Sequence, residues 1–234
     1  ERAGSSEGAV EILRAAAIES DPTNWSLPEL TRLHMVSHAE IARIAGALGQ
    51  EQLAFECSRT AIRWFDKLGS ALRPDDRIVM TTQLAALELD RGDFGAATAL
   101  ARAAVQASDA RNQRLESIPR TAYEALATRG LLARALLGSS CIEEATGYVH
   151  DAATRLGAFR NAYPGQLEDA RRATQHLGRV LVACIAALKE HGDPALCSAT
   201  ERLTYALGDA LAAQGRRKDP GKAIRYLRSL VKGD

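Results

Sequence analysis

Small residues recur at fixed offsets around a turn residue three times along this chain. The sets are Ala42, Gly49, Ala54 and Ala61; Ala85, Gly92, Ala97 and Ala104; and Ala133, Ser140, Ala145 and Ala152. A fourth set, Ile185, Gly192, Cys197 and Thr204, keeps the spacing without the alanines. At a helix end the chain commonly needs a left-handed residue, which glycine supplies without a Cβ penalty. Seven residues is close to two helical turns, so Ala54 and Ala61 share one face of a second helix, and Ala42 lies two turns ahead of the bend. Small side chains at these places let two antiparallel helices approach closely, while Phe94, Leu100 and Val105 fill the remaining interior. Such a pattern folds as consecutive helical hairpins.

Prolines give a second, independent ruler. Pro28, Pro74, Pro119 and Pro164 lie 46, 45 and 45 residues apart. Each opens a helix-sized segment, where the missing N–H and fixed φ are tolerated. Helices are expected over about 26–48, 51–68, 76–91, 94–108, 120–137, 141–156, 166–190, 195–214 and 221–231, after a short leading helix over about 7–19. Ser26 with Glu29 reads as a capping box, and Asp193-Pro194 and Asp219-Pro220 read as N-caps followed by proline at the first helical position. The helix over 195–214 fits equally as the second helix of a fourth hairpin or the first of a fifth. In the last helix Ala223, Ile224, Leu227, Leu230 and Val231 share a face that can cap the stack. No strand pattern is evident. The expected organisation is a leading helix and linker over 1–25 and a repeat domain over 26–234.

The pattern resembles the tetratricopeptide repeat, whose motif has small residues at its eighth, twentieth and twenty-seventh positions and a turn glycine at its fifteenth. The segment Leu84–Ala104, LAALELDRGDFGAATALARAA, is the best copy, with Gly92-Asp93-Phe94 at the turn. The stretch Leu207-Gly208 to Gly215, with Ala223, is similar. The resemblance implies an all-α, right-handed superhelix of antiparallel hairpins. The turn anchors are 43, 48 and 52 residues apart, longer than the standard repeat of about 34 and nearer the roughly 40–47 of HEAT and armadillo units. A HEAT-like solenoid is therefore the runner-up.

Thirty basic and 29 acidic residues leave a net charge of +1, which argues against a dedicated nucleic-acid or membrane-surface protein. No stretch is long and apolar enough to span a bilayer, and no secretory signal pattern opens the chain. Cys57, Cys141, Cys184 and Cys197 show no paired spacing and read as reduced packing thiols of an intracellular, cytoplasmic protein. The chain starts at Glu1, which suggests a segment of a longer polypeptide.

His34 and His38 stand four apart, a spacing that suits a metal, but Met35 replaces the glutamate of the zincin pattern and no third ligand is near. Cys141 and His150 are nine apart and fall near opposite faces of a helix. The run Arg216-Arg217-Lys218 with Lys222 reads as a solvated turn. No catalytic residue, metal site or cofactor is expected. In tetratricopeptide arrays the first helix of each hairpin lines the concave face, which implies contacts from Arg43, Thr82, Gln83, Arg134, Arg179, Arg202 and Tyr205. Arginine's planar fork suits carboxylates, so an acidic peptide is a fitting partner. The family's clamp for C-terminal carboxylates is not matched, since Ala39, Arg43, Ala127 and Leu131 stand at its positions. The expected function is a non-catalytic module binding a peptide, helix or protein surface in its groove, as a scaffold or assembly subunit. The alternative is a ligand- or peptide-sensing segment of a bacterial signalling or transcription regulator.

Overall fold

The computed structural model describes residues 28–68, 74–115, 119–163, 165–214 and 220–232, with Gly8, Glu11 and Ala15 of the leading segment. These residues form nine long helices and, among themselves, no strand: α1 (Pro28–Ala47), α2 (Glu51–Leu68), α3 (Pro74–Asp90), α4 (Phe94–Leu115), α5 (Pro119–Gly138), α6 (Ile142–Ala162), α7 (Leu167–His191), α8 (Pro194–Ala213) and α9 (Pro220–Lys232). The leading helix expected over 7–19 falls largely outside the described residues, as do Ser26, Pro164, the run Arg216–Lys218 and Asp219.

All four turn anchors adopt the left-handed conformation: Gly49 at φ 72°, Gly92 at 78°, Ser140 at 57° and Gly192 at 59°. After α1, Gln50 N–H donates to the Ala45 carbonyl (2.9 Å) and Gly49 N–H to Gly46 (3.1 Å). After α5, Cys141 N–H donates to Leu136 (2.9 Å) and Ser140 N–H to Leu137 (3.1 Å). Each pair is a Schellman closure that satisfies the last carbonyls of the helix. After Gly92 and Gly192 stands an aspartate that starts the next helix. Asp93 Oδ1 accepts from Ala96 N–H at 3.0 Å, and Asp193 Oδ1 accepts from Leu196 N–H at 2.7 Å. Helix stop and helix start are thus written in adjacent residues.

The helices of 17 to 25 residues account for the long repeat spacing. Two run farther than the apolar pattern suggests. Helix α4 continues past Ser108 to Leu115, and α6 past Leu156 to Ala162. Neither extension meets a proline until Pro119 and Pro164, and in α6 the buried stripe itself runs on beyond Leu156 to Phe159.

The chain divides into two compact units, Glu1–Arg91 and Gly92–Asp234. In the first, α1 and α2 pair as a hairpin and α3 packs on both. Ile41, Ala42, Ala45, Leu53 and Cys57 form its core, with Ile44, Ala54 and Leu87 packed around them. In the second, α5 lies at the centre, against α4, α6 and α7. Its Leu126, Leu131, Leu132, Ala133, Ala135 and Leu136 are all fully enclosed. Burying a leucine side chain contributes on the order of 1.5–3 kcal/mol, so this helix anchors the unit.

Stacking in the second unit follows two rows. First helix α5 packs on first helix α7, and second helix α6 packs on α8. That resolves the double reading of α8: it takes the second-helix position of the fourth hairpin. Helix α9 lies across α8 and α7 with Ile224 buried, and so closes this end of the stack. Among the repeat's small positions, Ala42, Ala61, Ala85, Ala97, Ala104, Ala133, Ala145 and Ala152 are fully buried, and Cys197 and Thr204 nearly so.

Candidate interaction surface

The first-helix row is the surface that the repeat register singles out. In the first unit Arg43 is exposed on α1, where its Nε donates to Glu40 Oε2 at 3.0 Å. That contact engages one arginine locally and holds the Glu40 carboxyl below its ordinary range. Thr82 on α3 is half-buried and its hydroxyl donates to the Ile78 carbonyl at 2.6 Å, so it serves its own helix. Gln83 beside it is exposed.

In the second unit the structure brings Arg134 of α5 and Arg179 of α7 together around one half-buried group. His176 on α7 lies against Gly130 of α5, where a Cβ would come within 3.1 Å of its ring. Its Nε2–H donates to the Ala127 carbonyl at 2.8 Å. Burial, opposed by that hydrogen bond and aided by the fields of Arg134 and Arg179, lowers the His176 pKa to about 4. The imidazole is therefore neutral at pH 7, and the two arginines supply the local charge. Beside them Val182 is 67% exposed. It sits three residues before Ile185, the offset at which Thr82 precedes Ala85.

Arg202 and Tyr205 belong elsewhere. Both lie on α8, in the second-helix row, because α8 stacks on α6. Arg202 Nη1 donates to the His150 ring, 3.2 Å from Nε2, and Tyr205 is half exposed. Of the seven expected contact residues, five thus lie on first helices and two on the second helix α8.

The remaining candidate groups have structural roles. His34 is buried, its ring 4.2 Å from that of His38 and edge-on to Trp64. His38 Nδ1–H donates to the His34 carbonyl at 3.0 Å, and burial lowers its pKa. Among the described residues no three His, Cys, Asp or Glu side chains converge on a metal position. Cys184 and Cys197 are buried as their register implies. Burial pushes the Cys184 thiol up to about 12 and raises that of Cys197 with help from Glu201, so both stay protonated at neutral pH. Cys141 departs from the packing role, being exposed at the turn before α6.

Left-handed turns at a constant register separate the helices, and in the second unit the helices stack row on row. The described residues form all-α, tetratricopeptide-like helical repeats. No family model matches the chain, and no curated protein matches it. Solved structures similar to it include BtubC (BKLC) from P. vanneervenii, at 17% identity and a TM-score of 0.48, covering 97% of this chain and 91% of that one. Another is a putative kinesin light chain of Podosopora anserina with nearly identical TPR-like repeats, at 18% identity and 0.43, covering 85% and 95%.

Leu33, Val79 and Val182 are apolar residues that stand 61%, 40% and 67% exposed on first helices, and charge alone does not single them out. No described helix is long and apolar enough to cross a membrane.

Proposed function

We propose that this chain is a non-catalytic interaction module that holds a peptide, helix or protein surface on its first-helix face, as a scaffold or assembly subunit. Repeat stacks present extended surfaces assembled from successive units. The observation that supports the reading is the grouping of Arg134, Arg179 and the exposed Val182 on neighbouring first helices. An exposed apolar residue beside a pair of cations gives a partner an anchor, with arginine forks that fix register on carboxylates. The partner expected there carries an apolar side chain flanked by acidic residues.

The test is capture from a lysate of the source cell with the wild-type chain and with an Arg179→Ala/Val182→Ser variant. Both positions are exposed, so melting should be unchanged. A partner retained by the wild type and lost by the variant supports the reading. Equal capture by both chains counts against this face.

A further inference from the structure

Charge along the chain is unevenly placed. Residues 215–234 hold seven Lys and Arg against two Asp, whereas residues 1–214 hold 23 against 27. Helix α9 carries much of this excess and contains no acidic residue. With Ile224 buried against the stack, Lys222, Arg225 and Arg228 are exposed. Three-residue spacing puts them within about 9 Å along the helix axis. Exposed Tyr226 lies on the same helix, and Tyr205 of α8 lies near Arg228.

One carboxylate is already held here. Arg228 donates through Nε to Glu201 Oε1 at 2.8 Å and through Nη2 to Oε2 at 2.9 Å, a two-point fork between α9 and α8. That pairing holds the Glu201 carboxyl below its ordinary range. Lys222 and Arg225 have no such counterpart among the described residues.

We infer that the exposed face of α9, through Lys222 and Arg225 beside the Arg228–Glu201 fork, is a second docking surface that takes an acidic protein segment. Three observations favour a peptide over other polyanions. The Arg225 guanidinium, like that of Arg228 which already holds the Glu201 carboxylate, has a planar geometry suited to carboxylates. The face is a convex helix, without the groove that tracks a single-stranded nucleic-acid backbone, and the acidic excess of the rest of the chain repels a long polyphosphate. Lipid insertion requires a free apolar face, and that of α9 is committed to the stack through Ile224. Arg and Tyr together are the side chains that most often dominate binding energy at protein interfaces. This surface is independent of the first-helix face.

The experiment is fluorescence anisotropy with a labelled peptide of alternating Glu and Ser, an oligothymidylate of equal charge and phosphatidylserine vesicles. Each is titrated with the full chain, with Lys222→Glu/Arg225→Glu and with Arg179→Ala/Val182→Ser. The expected result is peptide binding that falls at least tenfold in the Lys222/Arg225 variant, weakens with added salt and is unchanged in the Arg179/Val182 variant. Lys222→Gln/Arg225→Gln, with folding checked by circular dichroism, replaces the charge reversal if that variant does not fold. Absence of peptide binding to the wild type, or equal binding by the variants, overturns the assignment. So does tighter binding of the oligonucleotide or vesicles than of the peptide. Loss confined to the Arg179/Val182 variant overturns it while leaving the first-helix reading standing.

Discussion

The Nε2–H of His176 donates to the carbonyl oxygen of Ala127 at 2.8 Å, joining α7 to α5 where Gly130 leaves room for the ring. Burial, the leading cause, lowers the His176 pKa to about 4, against 6.5 for an exposed histidine. The unfolded chain therefore binds more protons between these values, and stability falls as pH falls. The contribution is complete above about pH 6.5 and lost as pH drops toward about 4, amounting to as much as about 3 kcal/mol. Urea unfolding at pH 7 and pH 4.5 should show this loss, and His176→Gln should flatten part of it. An unchanged slope in that variant would remove His176 as the source.

Ser140 is the one described non-glycine residue with a left-handed backbone. Its Schellman hydrogen bonds match those at Gly49, so the turn is formed in full at the cost of a crowded Cβ. Glycine relieves that crowding, although it also raises the entropy of the unfolded chain. Ser140→Gly is expected to stabilise by about 0.5–1 kcal/mol, raising Tm by about 2–4 °C per kcal/mol. A lower Tm would mean that the hydroxyl contributes more than the conformation costs.

These two residues mark what was legible beforehand and what was not. The turns could be read because a left-handed residue is a local demand, and a glycine or serine at constant spacing announces it. The small residues could be read because close helix approach excludes larger side chains. The row occupied by α8 could not, since either neighbour satisfies its apolar face and only the stacking on α6 decides. The His176 contact left no pattern, because its partner is a backbone carbonyl 49 residues away. Val182 carried no signal because apolar residues are expected inside, yet it stands 67% exposed.

Gly138 closes α5, and a Cβ built there would come within 2.3 Å of the ring of Phe94, at the start of α4. Its backbone is not left-handed, so space is the reason for glycine. Alanine would gain up to about 1 kcal/mol of helix propensity but would displace a half-buried aromatic ring, at about 1–3 kcal/mol. Gly138→Ala should therefore destabilise in thermal melts, and Phe94→Leu in the same chain should recover most of the loss. A double variant no better than the single one would place the strain elsewhere.

Arg129 gives the last test, because its side chain is 6% exposed while its carboxylate partners Asp109 and Asp151 remain 44% and 39% exposed. It reaches both at 2.5 Å, from α5 to α4 and to α6, and donates through Nη1 to the Ala125 carbonyl at 3.2 Å. Removing one partner of a buried pair is severe when the other charge stays buried, but these aspartates can recover water. Arg155, 2.9 Å from Asp151, also remains to pair with it. The main loss in Arg129→Ala is then the space left by the long side chain, about 2–4 kcal/mol. Methionine refills that space without a charge, so Arg129→Met should cost no more than about 1 kcal/mol. Chemical denaturation of the two variants separates packing from charge: a methionine variant as unstable as the alanine one would show that the ion pairs, and not the filled volume, hold α4, α5 and α6 together.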